Sequence, residues 1–229
     1  MKEKILLLHG ALGSTSQMNV VRLALQDHFE IFDFDFIGHG SKAKEGTPFL
    51  MSDLANEVIS FIENQIKSPT HVFGYSMGGY AALLAAKSKP ELFRSITTLG
   101  TKLQWTEDIA RREMRMLDAE VIMQKVPKFA EHLEQVHGNQ WRTLLSHTAA
   151  MMMELGESPK ITAQDVKQLQ MPINIITGEL DQTADPAYSK SFAQEAGVSF
   201  FTLENTPHPI AKVDIPSVVQ IILHHTTHH

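Results

Sequence analysis

Six short apolar runs, at residues 4–8, 30–34, 71–74, 95–99, 173–177 and 199–203, alternate with segments of helical period at 17–27, 52–66, 78–88, 187–195 and 210–224. A strand that is apolar along its length must be covered on both faces, and strands separated by helices pair in parallel. The alternation therefore predicts an α/β fold: a doubly wound, mostly parallel sheet of about six strands, with Ser52 as the N-cap of its helix. Hydrophobic residues make up 43% of the 229, enough to fill one large core. Residues 101–170 break the alternation, being helical in pattern with no strand candidate. Pro127, Gly138 and the turn at 156–159 divide this stretch into three or four short helices. The chain is thus expected to comprise a core of residues 1–100 and 171–229 with a helical insertion at 101–170. Six of the eleven methionines fall in the insertion: Met114, Met116, Met123, Met151, Met152 and Met153. Methionine is unbranched and polarizable, so these residues either fill an irregular helical core or line a surface that repacks around varied ligands.

A formal charge of -6 supplies no broad positive field, which argues against nucleic acid or an anionic membrane surface and leaves a small, weakly charged molecule as the expected partner. The absence of cysteine removes disulfides, thiolate zinc sites and a cysteine nucleophile together, and makes a reducing compartment the simplest expectation. The apolar run at 5–8 is shorter than the roughly 7 to 15 residues of a signal peptide. No stretch approaches the roughly 20 residues of a bilayer span, so a cytoplasmic protein without a membrane partner is expected. The histidines at 224, 225, 228 and 229 are expected to form a mobile end rather than a metal site.

Chemistry enters at Gly74-Tyr75-Ser76-Met77-Gly78-Gly79, a G-x-S-x-G motif directly after one apolar run and directly before one helical segment. A serine on such a turn holds its hydroxyl exposed, and Gly74 and Gly78 bring no Cβ into the crossing. The Met77 N–H, at the start of the following helix, can meet developing negative charge. A second donor is expected from His9-Gly10-Ala11-Leu12-Gly13-Ser14, after the first apolar run: the N–H of Ala11, with that of Leu12 as the alternative. His9 is expected to pin this loop by hydrogen bonding rather than to transfer protons.

These residues resemble the α/β-hydrolase fold superfamily, in which a histidine-glycine oxyanion loop and a nucleophile elbow are followed by an acid and a histidine. The resemblance implies a serine esterase or lipase-like member with a helical lid; many relatives carry an antiparallel hairpin before the first strand, and because only residues 1–3 precede it here, a trimmed and all-parallel sheet is expected. Gly178-Glu179-Leu180-Asp181 looks like the acid loop of that family, with Asp181 in the usual place and Glu179 and Asp185 as alternatives. His208 follows in Thr206-Pro207-His208-Pro209 and is the only histidine between Asp181 and the tail. Most relatives have glycine before this histidine, whereas here proline stands on both sides and stiffens the loop. Asp35-Phe36-Ile37-Gly38-His39-Gly40-Ser41 is similar to a turn that packs under the site in these hydrolases, with His39 structural.

The resemblance implies catalysis by Ser76, His208 and Asp181, with an oxyanion hole from Ala11 and Met77, on an ester or thioester of small to medium, largely apolar character. Leu12, Met18, Met114 and Met152 are the expected substrate contacts. Neither metal nor organic cofactor is required, and a monomer or homodimer is expected. A lyase or C–C bond hydrolase using the same triad, an acyltransferase or perhydrolase, and a hydrolase-fold ligand receptor are the alternatives. The lyase would need an arginine cluster over the site, for which Arg111, Arg112, Arg115 and Arg142 are the candidates.

Overall fold

The computed structural model describes residues 2–226. Six strands, β1 (Glu3–Leu8), β2 (Phe29–Asp33), β3 (Thr70–Tyr75), β4 (Phe93–Leu99), β5 (Ile173–Gly178) and β6 (Ser199–Leu203), form one sheet in the order β2-β1-β3-β4-β5-β6. Every pairing is parallel. The order reverses between β1 and β3, so the loops leaving the carboxyl ends of these strands diverge and open a crevice there.

Successive side chains of a strand point to opposite faces, and β1 shows the division. Leu6 and Leu8 join Val72, Ile96 and Ile175 in a core covered by α2 (Met51–Phe61), α3 (Met77–Ser88) and α9 (Pro186–Ala196). Ile5 and Leu7 join Phe73, Leu99 and Ile176 beneath α1 (Asn19–Leu25) and α10 (Ile215–Thr226). Burial of both faces explains why these strands read as continuous apolar runs.

Three local expectations need correction. Leu50, not Ser52, caps α2: the Asp53 carboxylate accepts from the Leu50 N–H at 2.8 Å, so the acid three residues on does the work assigned to a serine hydroxyl. Residues 101–170 hold five helices rather than three or four: α4 (Glu107–Arg115), α5 (Ala119–Lys125), α6 (Pro127–His137), α7 (Trp141–Glu157) and α8 (Ala163–Lys167). Of these α7, at 17 residues, is long, because the methionine run carries no breaker. Finally, α10 continues through His224 and His225 to Thr226; the rest of the histidine tail, 227–229, lies outside the described residues.

Helices α5, α6 and α7 carry a small core of their own, in which Ile122, Ala130, Leu133, Trp141 and Leu145 pack together, with Leu12 of the β1 loop packed against it. No helix among the described residues is long and apolar enough to cross a membrane.

Candidate active site

Ser76 stands between the end of β3 and the start of α3 with φ 51 and ψ -114, a left-handed conformation that non-glycine residues rarely adopt. Its surroundings hold it there. The Ser76 N–H donates to Leu99 O at 2.8 Å, its carbonyl accepts from Gly79 N and Tyr80 N, and Thr101 Oγ1 donates to the same carbonyl at 3.0 Å. The turn closes only because it is lined by glycine: a Cβ on Gly74 would lie 2.5 Å from Gly79 Cα, and one on Gly78 would lie 2.6 Å from Leu8 O.

His208 and Asp181 meet in the adjacent loops. His208 Nδ1 lies 2.8 Å from Asp181 Oδ2, with the carboxylate buried. The other oxygen, Oδ1, accepts from Thr183 N and Ala184 N, each at 2.8 Å, so the carboxylate is fixed before the imidazole reaches it. Tyr75, the residue before Ser76, donates from its hydroxyl to His208 O at 3.0 Å, and the two rings lie 5.4 Å apart. Burial pushes the Tyr75 phenol up to about 12, so it stays a donor throughout the working pH range. The two prolines leave this geometry intact. A Cβ built on Gly100, directly after Leu99, would lie 3.2 Å from both His208 Cε1 and Nδ1 and from Asp181 Oδ2, which places the pair beside the Ser76 turn. The alternative acids are engaged elsewhere: Glu179 accepts from Asn205 N, and Asp185 caps α9 by accepting from Tyr188 N.

Ala11 and Met77 stand at the two edges of this turn. A Cβ on Gly10 would lie 3.3 Å from Ser76 Cβ, so the β1 loop passes directly beside the serine. Among the described residues neither the Ala11 N–H nor the Met77 N–H is taken by a protein acceptor. The first N–H groups of a helix lack an intrahelical partner by construction.

One cavity is lined by Ser76 and a second by His208, and Ala11 borders both. The smaller, of about 50 Å³, is lined by Ser76, Ala11, Met77, Met151, Met152 and Trp105, with Met51, Tyr80 and Leu155 completing an apolar wall. Lys102 and Glu113 close one side of it as a buried ion pair, Nζ to Oε1 2.8 Å. The larger, of about 540 Å³, runs past Ala11, Leu12, Tyr75 and His208 toward Phe129 and Val136 of α6.

The expected substrate contacts divide accordingly. Met152 lines the smaller cavity and Leu12 the larger. Met18 does neither, because it is buried between α1 and the sheet among Val21, Leu25 and Phe73. Met114 also falls away: it lies on the outer face of α4 with 38% of its surface exposed, while Glu113 takes the inward position. None of Arg111, Arg112, Arg115 and Arg142 lines the serine cavity, as expected of charged residues on amphipathic helices. Lys102, Trp105, Glu113 and Thr183 had no local sequence signal, since each reaches the cavity only through the packing of the inserted helices and the acid loop.

Beneath the β1 loop His9, His39 and His137 are buried together. His9 Nδ1 lies 2.8 Å from Gly10 O, and its Nε2 accepts from Phe36 N at 3.1 Å, which makes it the neutral pin expected of it. Burial pulls its proton affinity down to about 4. His39 is held to Ile37 O, and burial drives it well below the ordinary histidine range. Asp35 braces both loops by accepting from Thr15 N, Ser41 N and Ser41 Oγ. Desolvation opposes its ionisation, but these hydrogen bonds prevail and hold it below the usual carboxylate value.

Residues 1–210 match the profile of a hydrolase family described as serine aminopeptidase, S33. The chain belongs to that S33 family. Its fold is that of NosK from Streptomyces actuosus, at TM-score 0.83 and 19% identity with all of both chains covered. It also superposes on the enol-lactonase from Burkholderia xenovorans LB400, at TM-score 0.76 and 19% identity over 97% of this chain and 92% of that one. In sequence this S33 hydrolase is 34% identical to the uncharacterized hydrolase YugF of Bacillus subtilis over 43% of its own length and 36% of that protein. It is 32% identical to ethanol acetyltransferase 1 of Hanseniaspora uvarum over 41% of its length and 28% of that enzyme. The match thus spans well under half of these curated relatives.

Proposed function

We propose that the chain is a serine hydrolase that cleaves carboxylic esters or thioesters of short acyl groups. The observation that carries this reading is the strained Ser76 turn set directly beside the His208–Asp181 pair. In this mechanism Ser76 Oγ attacks the acyl carbon while His208 Nε2 takes its proton; the C–O or C–S bond to the leaving group then breaks as His208 returns that proton. Asp181 holds the imidazole tautomer and stabilises its cation. The N–H groups of Ala11 and Met77 receive the oxyanion, and water repeats the sequence to release the acid.

The acyl group is assigned to the smaller cavity. Its volume of about 50 Å³ is small beside the 540 Å³ of the second cavity, which favours short acyl groups over the medium chains that a methionine-rich lid alone suggested. The leaving group then occupies the larger cavity beside His208, with residues 101–170 acting as the lid over both. Esters come ahead of peptides with a free amino terminus because Glu113, the carboxylate on the acyl side, is neutralised by Lys102 and offers no anchor to a substrate ammonium. Acyl transfer to an alcohol is the second reading, favoured by the acetyltransferase relatives and by a cavity at His208 large enough for an acceptor to replace water.

Steady-state hydrolysis of p-nitrophenyl esters from acetyl to dodecanoyl, with Ser76→Ala as control, tests the reading. Multiple turnovers with an optimum among the shortest acyl groups, absent in the variant, are expected. Equal rates for wild type and Ser76→Ala on every ester would remove it. Adding ethanol and following the ethyl ester separates transfer from hydrolysis.

A further inference from the structure

We infer that His137, at the end of α6 in the inserted helices, is a positioning residue that sets the oxyanion loop; the inference rests on the hydrolase reading above. His137 is buried, and its two ring nitrogens face two loops of the core. Nε2 lies 3.0 Å from Leu12 O, and Nδ1 accepts from Gly40 N at 2.9 Å. Because a backbone N–H can only donate, Nδ1 is the acceptor and Nε2 carries the proton that goes to Leu12 O. The tautomer is therefore fixed by its partners.

Leu12 is an unusual residue for such an anchor. Its φ is 60, a conformation that a branched side chain enters only when its surroundings demand it. Both ends of the residue are gripped by the insertion: the carbonyl by His137, and the side chain by the cluster of Ile122, Leu133, Trp141 and Leu145. Leu12 directly follows Ala11, whose N–H is assigned to the oxyanion. The Leu12–Gly13 peptide, two peptide planes beyond the one that carries the Ala11 N–H, therefore takes its orientation from a helix 125 residues away, and the left-handed turn at Leu12 links the two. Misplacing a catalytic donor by about an ångström costs on the order of 100-fold in rate, so this contact is expected to act on kcat rather than on substrate binding.

Two substitutions divide the contacts of the ring. The terminal amide of glutamine reaches the position of Nε2 and can still donate to Leu12 O, whereas the shorter asparagine reaches the position of Nδ1 and keeps only Gly40. His137→Gln is expected to retain kcat within about threefold of wild type on p-nitrophenyl acetate. His137→Asn is expected to lose roughly 10- to 100-fold in kcat with KM little changed, at a melting temperature matching that of His137→Gln. Crystal structures of the two variants give a readout that needs no turnover: Leu12 should keep its positive φ in the glutamine variant and leave it in the asparagine variant. Equal losses in the two variants, a loss confined to KM, or a Leu12 φ unchanged in His137→Asn would overturn the inference. Wild-type turnover that survives Ser76→Ala would instead remove the hydrolase reading and leave the structural arm to decide the role of His137.

Discussion

Ser76 and the groups around it differ in how replacement should read out, because they spend their interactions at different stages. Asp181 is already bound by two backbone N–H groups, so Asp181→Asn should fold, yet present the wrong hydrogen-bond pattern to His208 Nδ1. Its kcat should fall by roughly 10⁴ with little change in melting temperature, measured by steady-state kinetics beside a thermal melt. A fall below tenfold would send the acid role back to another carboxylate. His9 makes the opposite prediction, affecting stability and not chemistry. Its folded proton affinity, pulled down by burial, lies at about 4 against 6.5 for an exposed histidine. The unfolded chain therefore binds the extra proton between those values, and the stability from keeping His9 neutral is complete above pH 6.5 and lost as the pH falls toward 4. At roughly 1.4 kcal/mol for each tenfold change in proton affinity, this one side chain accounts for about 3 kcal/mol. Urea unfolding of wild type and His9→Gln at about pH 7 and about pH 4.5 checks it: the variant should be less stable at neutral pH but lose less on acidification. Parallel losses would show that other groups carry the acid sensitivity.

At the scale of elements, the ion pair between Lys102 and Glu113 joins the segment after β4 to α4 and forms a wall of the smaller cavity, with side-chain exposures of 10% and 9%. Removing one partner from a buried pair strands the other, at a cost of about 3–5 kcal/mol, whereas removing both for apolar groups of similar volume is often close to neutral. Glu113→Leu should therefore destabilise strongly, and Lys102→Met with Glu113→Leu should recover most of the loss in a double-mutant cycle followed by urea titration. Because the pair also bounds the smaller cavity and the replacements nearly conserve its volume, the double variant should keep its optimum among short acyl groups; a shift to longer chains would show that the charges rather than the space set the limit.

The whole molecule comprises a sheet with helices on both faces and, between β4 and β5, helices that share a small core of their own. Ile122, Ala130, Leu133, Trp141 and Leu145 are few beside the apolar residues that bury β1, β3 and β4. Local opening requires less free energy where fewer buried contacts are broken. Amides of α5 and α6 should therefore exchange with deuterium well before those of β3 and β4, and a slowly hydrolysed inhibitor on Ser76 should protect them. Simultaneous exchange of α5, α6 and the sheet would show one cooperative unit.

Much of this was legible in the sequence because the signals were local. Each strand is a nearly continuous apolar run because it is buried on both faces. The Ser76 turn was readable because only glycine allows the close approaches at Gly74 and Gly78. His208 was the sole histidine available in its stretch, and the loop order supplied Asp181. Side-chain destination was not local. Met18 and Met114 carry the same side chain as Met152, yet one lies under the sheet, one faces water and one lines the cavity, because helix rotation and packing, not residue type, choose the face. The same holds for Lys102 and Glu113, which pair across 11 residues, and for His137, whose two partners lie 97 and 125 residues away. The sequence by itself determined the sheet, the Ser76 turn and the order of the loops that carry Asp181 and His208, since these rest on backbone sterics and short-range patterning. Only the tertiary structure decided which helical residues bound the cavities and how the insertion grips the Leu12 peptide, because such contacts arise where distant elements pack.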